Sequence, residues 1–257
     1  MQKYDLEFEK TRNTDIKKMG NATALDNISR EWMKKSAQYN YVYNFDWLNT
    51  PIIQFPQDIV GMQELIIKCN PDLIIETGVA RGGSVLFSAS MLALLDLRES
   101  LKDGVPYEKK RKVIGIDIDI RDHTKKAIKA EPLSKYVELV EGSSIDESTI
   151  DLVHEKSEGY DNVMIFLDSN HTHEHVLAEL KGYQDLIKSG GYFVVFDTSI
   201  EWDEAEYWES NREWGPGNSP RSAITEFIES FADFKIDKSM SDKLQITVAP
   251  EGFLLRD

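Results

Sequence analysis

Four acidic side chains stand where apolar runs end: Glu76 after Leu73-Ile74-Ile75, Asp117 after Val113-Ile114-Gly115-Ile116, Asp168 after Val163–Leu167, and Asp197 after Tyr192–Phe196. If those runs are parallel strands of one sheet, their carboxyl ends share a rim and the four acids converge. Carboxylates that close repel one another unless a cation lies among them. A sulfonium, as in S-adenosylmethionine, or a hard divalent ion such as Mg²⁺ meets that need. His171 follows Asp168 by three residues and is placed to act as a general base, work worth about 10²- to 10⁴-fold in rate. Asp168, His171 and Asp197 are therefore the expected catalytic residues, and Asp168 with Asp197 the expected metal ligands.

The first acid belongs to the segment Ile75-Glu76-Thr77-Gly78-Val79-Ala80-Arg81-Gly82-Gly83-Ser84, an apolar run that breaks into glycines. It reads as a buried strand turning tightly into a helix, where open α/β sheets bind nucleotide-like ligands. A dinucleotide fingerprint requires G-x-G-x-x-G, and Gly78, Gly82 and Gly83 are spaced differently. Glu76 would sit near a pyrophosphate's charge but tolerates a sulfonium and an ammonium, and Asp117 is positioned to accept both ribose hydroxyls. Two acid-tipped strands favour S-adenosylmethionine over NAD. The expected cofactor surface comprises Glu76, Thr77, Gly78, Arg81, Gly82 and Ser84 of the loop, with Asp117, Asp119, Ser143, Ser144 and Asp168 from the other tips. The other enzyme class is an NAD-dependent oxidoreductase. A binding protein without catalysis is the third reading, because fold does not fix function.

His171, His173 and His175 invite a zinc reading, but residues two apart point away from each other on a helix, and no H-E-x-x-H or cysteine partner is present. A non-haem iron site from His171, His175 and Asp168 would only approximate the two-His, one-carboxylate arrangement. Further on, Trp214-Gly215-Pro216-Gly217-Asn218-Ser219-Pro220-Arg221 combines a tight turn with a helix start, Ser219 as N-cap and Pro220 in the first turn. The loop overhangs the same rim, so Trp214, Asn218 and Arg221 are expected substrate contacts.

These residues need a scaffold, and the chain supplies one. From Asp72 onward strand-like and helical runs alternate, the signature of a mostly parallel sheet with helices on both faces. Expected strands are 73–76, 113–117, 137–140, 163–168 and 192–197; expected helices are 83–97, 124–130, 146–156, 174–188 and 219–231. The polar stretch from Glu99 to Lys112 reads as a loop. Phe234–Lys238, Leu244–Val248 and Gly252–Leu255 read as short closing strands forming an antiparallel hairpin. The 257 residues divide into an N-terminal helical and aromatic appendage, 1–70, with a helix expected from Pro56 to Lys68, and a Rossmann-like domain, 71–257. Tyr39, Tyr41, Tyr43, Phe45 and Trp47 of the appendage could cover a substrate, pack between subunits or close the sheet edge. Trp202, Tyr207, Trp208 and Trp214 suggest an aromatic enclosure.

A net charge of −15 argues against a nucleic-acid groove, which relies on Lys and Arg. The single cysteine, Cys69, fits a reducing compartment. No apolar run approaches the roughly 18 residues of a membrane span, and no signal peptide is evident at Met1. The expectation is a cytoplasmic enzyme with a small-molecule acceptor, and the aromatic appendage is compatible with a homo-oligomer.

Taken together, Tyr43-Asn44-Phe45-Asp46-Trp47, Gln54-Phe55-Pro56-Gln57-Asp58, the glycine loop, Gly115-Ile116-Asp117-Ile118-Asp119, Leu167-Asp168-Ser169-Asn170-His171-Thr172 and Gly215-Pro216-Gly217-Asn218 resemble the cephalosporin hydroxylase family. Its members have the class I S-adenosylmethionine-dependent methyltransferase fold. The resemblance implies a seven-stranded sheet, Glu76 and Gly78 near the donor's methionine end, Asp117 on its ribose and Ser144 by its adenine. It implies O-methyl transfer to a small polar acceptor, sugar-containing or a natural product. Similar small-molecule O-methyltransferases hold Mg²⁺ with an acid after the fourth strand and an acidic pair after the fifth. Asp168 and Asp197 match that pattern, whereas Phe196 occupies the first place of the pair; Glu201 is the nearest replacement in sequence.

Overall fold

Strand and helix signals from Asp72 onward resolve into one seven-stranded sheet. The computed structural model describes residues 3–202 and 212–257. The sheet order is β5 (Val137–Glu141), β4 (Lys112–Asp117), β3 (Leu73–Thr77), β6 (Val163–Leu167), β7 (Tyr192–Val195), β9 (Phe253–Arg256) and β8 (Phe234–Ile236). The first five run parallel, β9 is antiparallel to β7, and β8 is antiparallel to β9. Strand order reverses between β3 and β6, so the ends of those strands open the crevice where such sheets bind ligands.

Strands buried on both faces read as unbroken apolar runs, and every residue of β3 and β6 is buried. Their side chains alternate between two cores. Ile74, Met164 and Val194 face α3 (Pro56–Cys69) and α4 (Gly83–Asp103), packing with Leu65, Ile66 and Leu92. Ile75, Ile165 and Val195 face the other side, with Val176 and Leu180 of α7 (His173–Tyr183) and Phe227 of α8 (Pro220–Ser230). Shorter helices α5 (Asp122–Ala130) and α6 (Glu147–Ser157) complete the crossovers. No helix among the described residues is long and apolar enough to cross a membrane.

The appendage is built from α1 (Lys3–Gly20), α2 (Thr23–Ala37), a two-stranded hairpin of β1 (Phe45–Trp47) and β2 (Thr50–Ile52), and α3. Trp32 and Phe45 pack on Tyr41 edge-on, each with ring centroids 5.0 Å apart, and Trp47 meets Phe87 of α4 in the same way. The appendage is thereby seated on the sheet layer rather than beside it.

Three expectations are corrected. Leu244–Val248 is not a strand: Asp237 caps Ser239 N at 3.0 Å to start a helix, α9 (Lys238–Leu244), and the chain then turns at Gln245 with φ +61°. The amide of Val248 instead donates to Asp58 Oδ2 at 3.0 Å. The polar stretch after Glu99 is not wholly a loop, since α4 continues to Asp103. Arg111 is 2% exposed, pairs with Asp96 and Glu99, and anchors the rest to α4. The fifth parallel strand closes at Val195, before Asp197, whose φ of +55° turns the chain sharply.

Candidate active site

The glycine loop is shaped by what approaches it. Gly78 has φ +88°, and a Cβ there would lie 2.0 Å from the carbonyl oxygen of Asp168, so only glycine lets the end of β6 come this close. A Cβ at Gly83 would lie 2.3 Å from the carbonyl oxygen of Pro51, which seats the β1–β2 hairpin on the start of α4. Asp117 fastens the loop: its Oδ2 accepts the amides of Val79 at 2.9 Å and Ala80 at 3.1 Å, and its Oδ1 accepts the amide of Asp119 at 3.1 Å. Thr124 Oγ1 donates to the carbonyl of Ala80 at 2.8 Å.

In front of this loop lies a cleft of about 310 Å³. Gly78, Arg81, Gly82 and Ser84 form one wall, and Asp168, Ser169 and His171 from the tip of β6 form another. Asp197 and Ile200 close it from the turn after β7, Tyr43 and Gln54 from the appendage, and Arg212 with Trp214 from the segment before α8. One ligand atom each from Asp168, His171 and Asp197 lies within 4.8 Å of the other two. His171 Nε2 is 3.5 Å from Asp197 Oδ2, and Trp214 meets the imidazole edge-on with ring centroids 4.9 Å apart.

Charge is concentrated at this point. Asp168 opens to the cleft but is otherwise surrounded by protein; burial first, then the charges of Asp197, Glu76 and Glu179, hold its carboxyl well above the usual range. Its Oδ2 accepts Gln54 Nε2 at 3.2 Å. Behind it, Glu76 is 2% exposed, and burial raises its carboxyl to about 7 against the opposing hydrogen bonds of Ser84 and Ser88. Asp58 is also raised to about 7, mainly by burial. Asp58, Glu76, Gln54 and Asp168 border one small interior cavity, into which Phe196 also projects. These carboxyls hold their protons more tightly than usual, and a cation among them would offset the cost of ionising them.

The structure gathers Gly78, Arg81, Gly82, Ser84, Asp168, His171, Asp197 and Trp214 in the cleft. Other expected residues lie elsewhere. Thr77 is fully buried beneath the loop, and Glu76 faces the interior cavity. Asp117 is occupied with the loop amides, and Asp119 is exposed beside it. The Ser143 carbonyl accepts Asp146 N at 3.1 Å, while Ser144 Oγ donates to Glu179 at 2.5 Å. Asn218 joins His173 N to the carbonyl of Glu213, and Arg221 pairs with Glu251 at 2.8 Å, so neither borders the cleft. Glu201 accepts Gly217 N and Ser219 Oγ, which removes it from the acid cluster. His173 turns to Ser222 and Glu226, and His175 to Ser144, Ser169 and Glu179, so the three histidines do not converge. Tyr207 and Trp208 lie outside the described residues. Gln54 and Arg212 escaped sequence reasoning; the only hint of Gln54 was its place in Gln54-Phe55-Pro56, 114 residues before Asp168.

Residues 39–257 match the family described as Rhamnosyl O-methyltransferase/CmcI. The chain belongs to this family. It is 30% identical over 224 residues to a rhamnosyl O-methyltransferase of Mycobacterium bovis, covering 84% of this chain and 82% of that one. A rhamnosyl O-methyltransferase of Mycobacterium leprae is 29% identical over 236 residues, 90% of this chain and 91% of that one. Among solved structures, CmcI with Mg and SAM superposes with TM-score 0.56 at 18% identity, covering 84% and 77% of the two chains. An O-methyltransferase from Bacillus cereus in complex with SAH superposes with TM-score 0.50 at 15% identity, covering 80% and 81%. These two establish the class I methyltransferase fold. The protein is an S-adenosylmethionine-dependent O-methyltransferase of the rhamnosyl O-methyltransferase/CmcI family.

Proposed function

We propose that this methyltransferase acts on a hydroxyl of a sugar, held at Asp168, His171 and Asp197, with the donor lying along the Gly78–Ser84 loop. The observation that carries the reading is the acid–histidine–acid cluster, three ligand atoms within 4.8 Å, opening on the cleft that the glycine loop borders. The names of the relatives at 29% and 30% identity support a sugar hydroxyl as acceptor.

The donor supplies a methyl group already electrophilic on its sulfonium. The protein's own task is to hold the acceptor oxygen in line with the carbon–sulfur bond and to remove one proton, and alignment is the larger contribution. His171 accepts the hydroxyl proton as the oxygen–carbon bond forms and the carbon–sulfur bond breaks. Asp197, 3.5 Å away, then stabilises the imidazolium. Trp214 fixes the ring's tilt, and Gln54 orients Asp168. Tyr43 and Gln54 of the appendage narrow the cleft beside the reacting atoms.

The donor set also fits a divalent ion. Asp168 and Asp197 offer the hard oxygen ligands Mg²⁺ prefers, and the raised Asp168 carboxyl marks charge such an ion would offset. A bound ion there would lower the pKa of the acceptor hydroxyl. His171 nitrogen is the poorer Mg²⁺ ligand, which suits it to the proton.

The test is a methylation assay with S-adenosylmethionine, Mg²⁺ and a panel of 6-deoxyhexosides, following S-adenosylhomocysteine and product mass. Turnover that falls about 10²-fold or more in His171→Ala is expected. Wild-type rates retained by both His171→Ala and Asp168→Asn would remove these residues from the chemistry.

A further inference from the structure

A second, larger groove of about 690 Å³ continues from the cleft and shares with it Val42, Tyr43, Asp197, Ile200, Arg212 and Val248. Its far walls come from the end of α2 and the turn after it on one side, and from Ser199 to Trp202 on the other. The appendage therefore shapes a space more than twice the volume of the catalytic cleft and open to it at Asp197.

The groove's chemistry is mixed in a specific way. Tyr43 is 59% exposed at the junction, and its ring has no aromatic partner among the described residues. Gln38 and Asn40 present amides with no hydrogen-bonding partner among the described residues. The guanidinium of Arg30 lies 3.8 Å from the ring centre of Trp202, which leaves in-plane N–H donors at its edge. Four cations line it, Arg30, Lys34, Lys35 and Arg212: Arg30 pairs with Asp26 at 3.0 Å, Lys35 with Glu31 at 2.8 Å, and the Arg212 guanidinium lies 5.0 Å from the ring centre of Trp214. An anionic occupant would also meet Glu31 and Asp197. A purely apolar occupant would bury the two amides without partners, at a desolvation penalty. Hydroxyl groups each donate and accept, as uncommitted amides do, and the flat amphipathic ring of Tyr43 suits a pyranose face.

We infer that the groove binds further sugar units, so that the acceptor is an oligosaccharide whose terminal residue enters the cleft. This rests on the sugar-hydroxyl reading of the cleft. In reaction order, the glycosyl transfer that builds the chain precedes methylation.

The experiment compares kcat/KM for methyl rhamnoside, the corresponding rhamnosyl disaccharide and trisaccharide, and an aryl rhamnoside, with S-adenosylmethionine and Mg²⁺. The disaccharide should exceed the monosaccharide by about tenfold, as two or three added hydrogen bonds provide, and the aryl glycoside should not. Gln38→Ala and Tyr43→Ala should bring the disaccharide-to-monosaccharide ratio toward one, while Tyr43→Phe, which keeps the ring, retains most of it. Thermal melts establish that each variant is folded. Equal kcat/KM across the series, an equal gain with the aryl glycoside, or a ratio unmoved by both alanine variants would overturn the inference while leaving the sugar reading intact. Methylation of none of these saccharides would overturn both.

Discussion

Replacing Glu76 by Gln should make the empty protein more stable and the donor complex weaker. Glu76 is 2% exposed, and the hydrogen bonds of Ser84 and Ser88, the latter at 3.3 Å, do not offset the burial of its ionised form. Burial raises its carboxyl from 4.5 to about 7. The unfolded chain loses this proton near 4.5 and the native protein near 7, so stability is intact below 4.5 and declines as pH rises to 7. At about 1.4 kcal/mol per pH unit, the full loss is about 3 kcal/mol at pH 8 and about 1.4 kcal/mol at pH 5.5. Glutamine has the same shape and no charge. Its advantage should therefore grow by about 2 kcal/mol between pH 5.5 and pH 8, a window clear of the isoelectric point near 4.8. Urea denaturation at the two pH values measures this. The cavity Glu76 faces meets the cleft at Gln54, Ser84 and Asp168, so in the proposed donor site its charge would answer the donor's cationic end, and calorimetry at pH 8 should show S-adenosylmethionine binding about tenfold more weakly to the variant. A variant less stable than wild type at pH 8, or an advantage independent of pH, would refute the reasoning.

Three further outcomes are expected. Gly78→Ala should lose about 3 kcal/mol in urea denaturation, combining left-handed strain with the clash at Asp168, whereas Gly104→Ala, with φ +66° in open space, should lose only about 1–2 kcal/mol. Arg111→Met strands the buried Asp96 carboxylate and should destabilise by about 3–5 kcal/mol without changing KM for an accepted glycoside. Dialysis against a chelator should lower methyl transfer and added Mg²⁺ restore it; rates indifferent to both would remove the ion from Asp168 and Asp197.

Much of the fold was legible because it follows from local signals. Apolar runs ending in acids marked β3, β4, β6 and β7, and the topology of a parallel sheet then brought Asp168, His171 and Asp197 together. Signals without local expression were missed. Gln54 reaches Asp168 only because the β1–β2 hairpin is pressed against Gly83, a contact no periodicity announces. Leu244–Val248 reads as a strand because its apolar residues alternate at 244, 246 and 248, yet the Asp237 cap starts a helix ahead of it and Asp58, 190 residues away, takes the Val248 amide. Asn218 and Arg221 read as part of a loop over the rim, and their hydrogen bonds to His173 and Glu251 set where their side chains lie. Polar side chains in loops are directed by partners that the chain order does not reveal.

The most direct measurement is a crystal structure of the protein grown with S-adenosylhomocysteine and Mg²⁺. Density for the thioether is expected between the Gly78–Ser84 loop and Asp168, with its sulfur facing the space enclosed by Asp168, His171 and Asp197. Ligand bound elsewhere, or a cleft left without density at saturating ligand, would contradict the assignment of this rim as the site of methyl transfer.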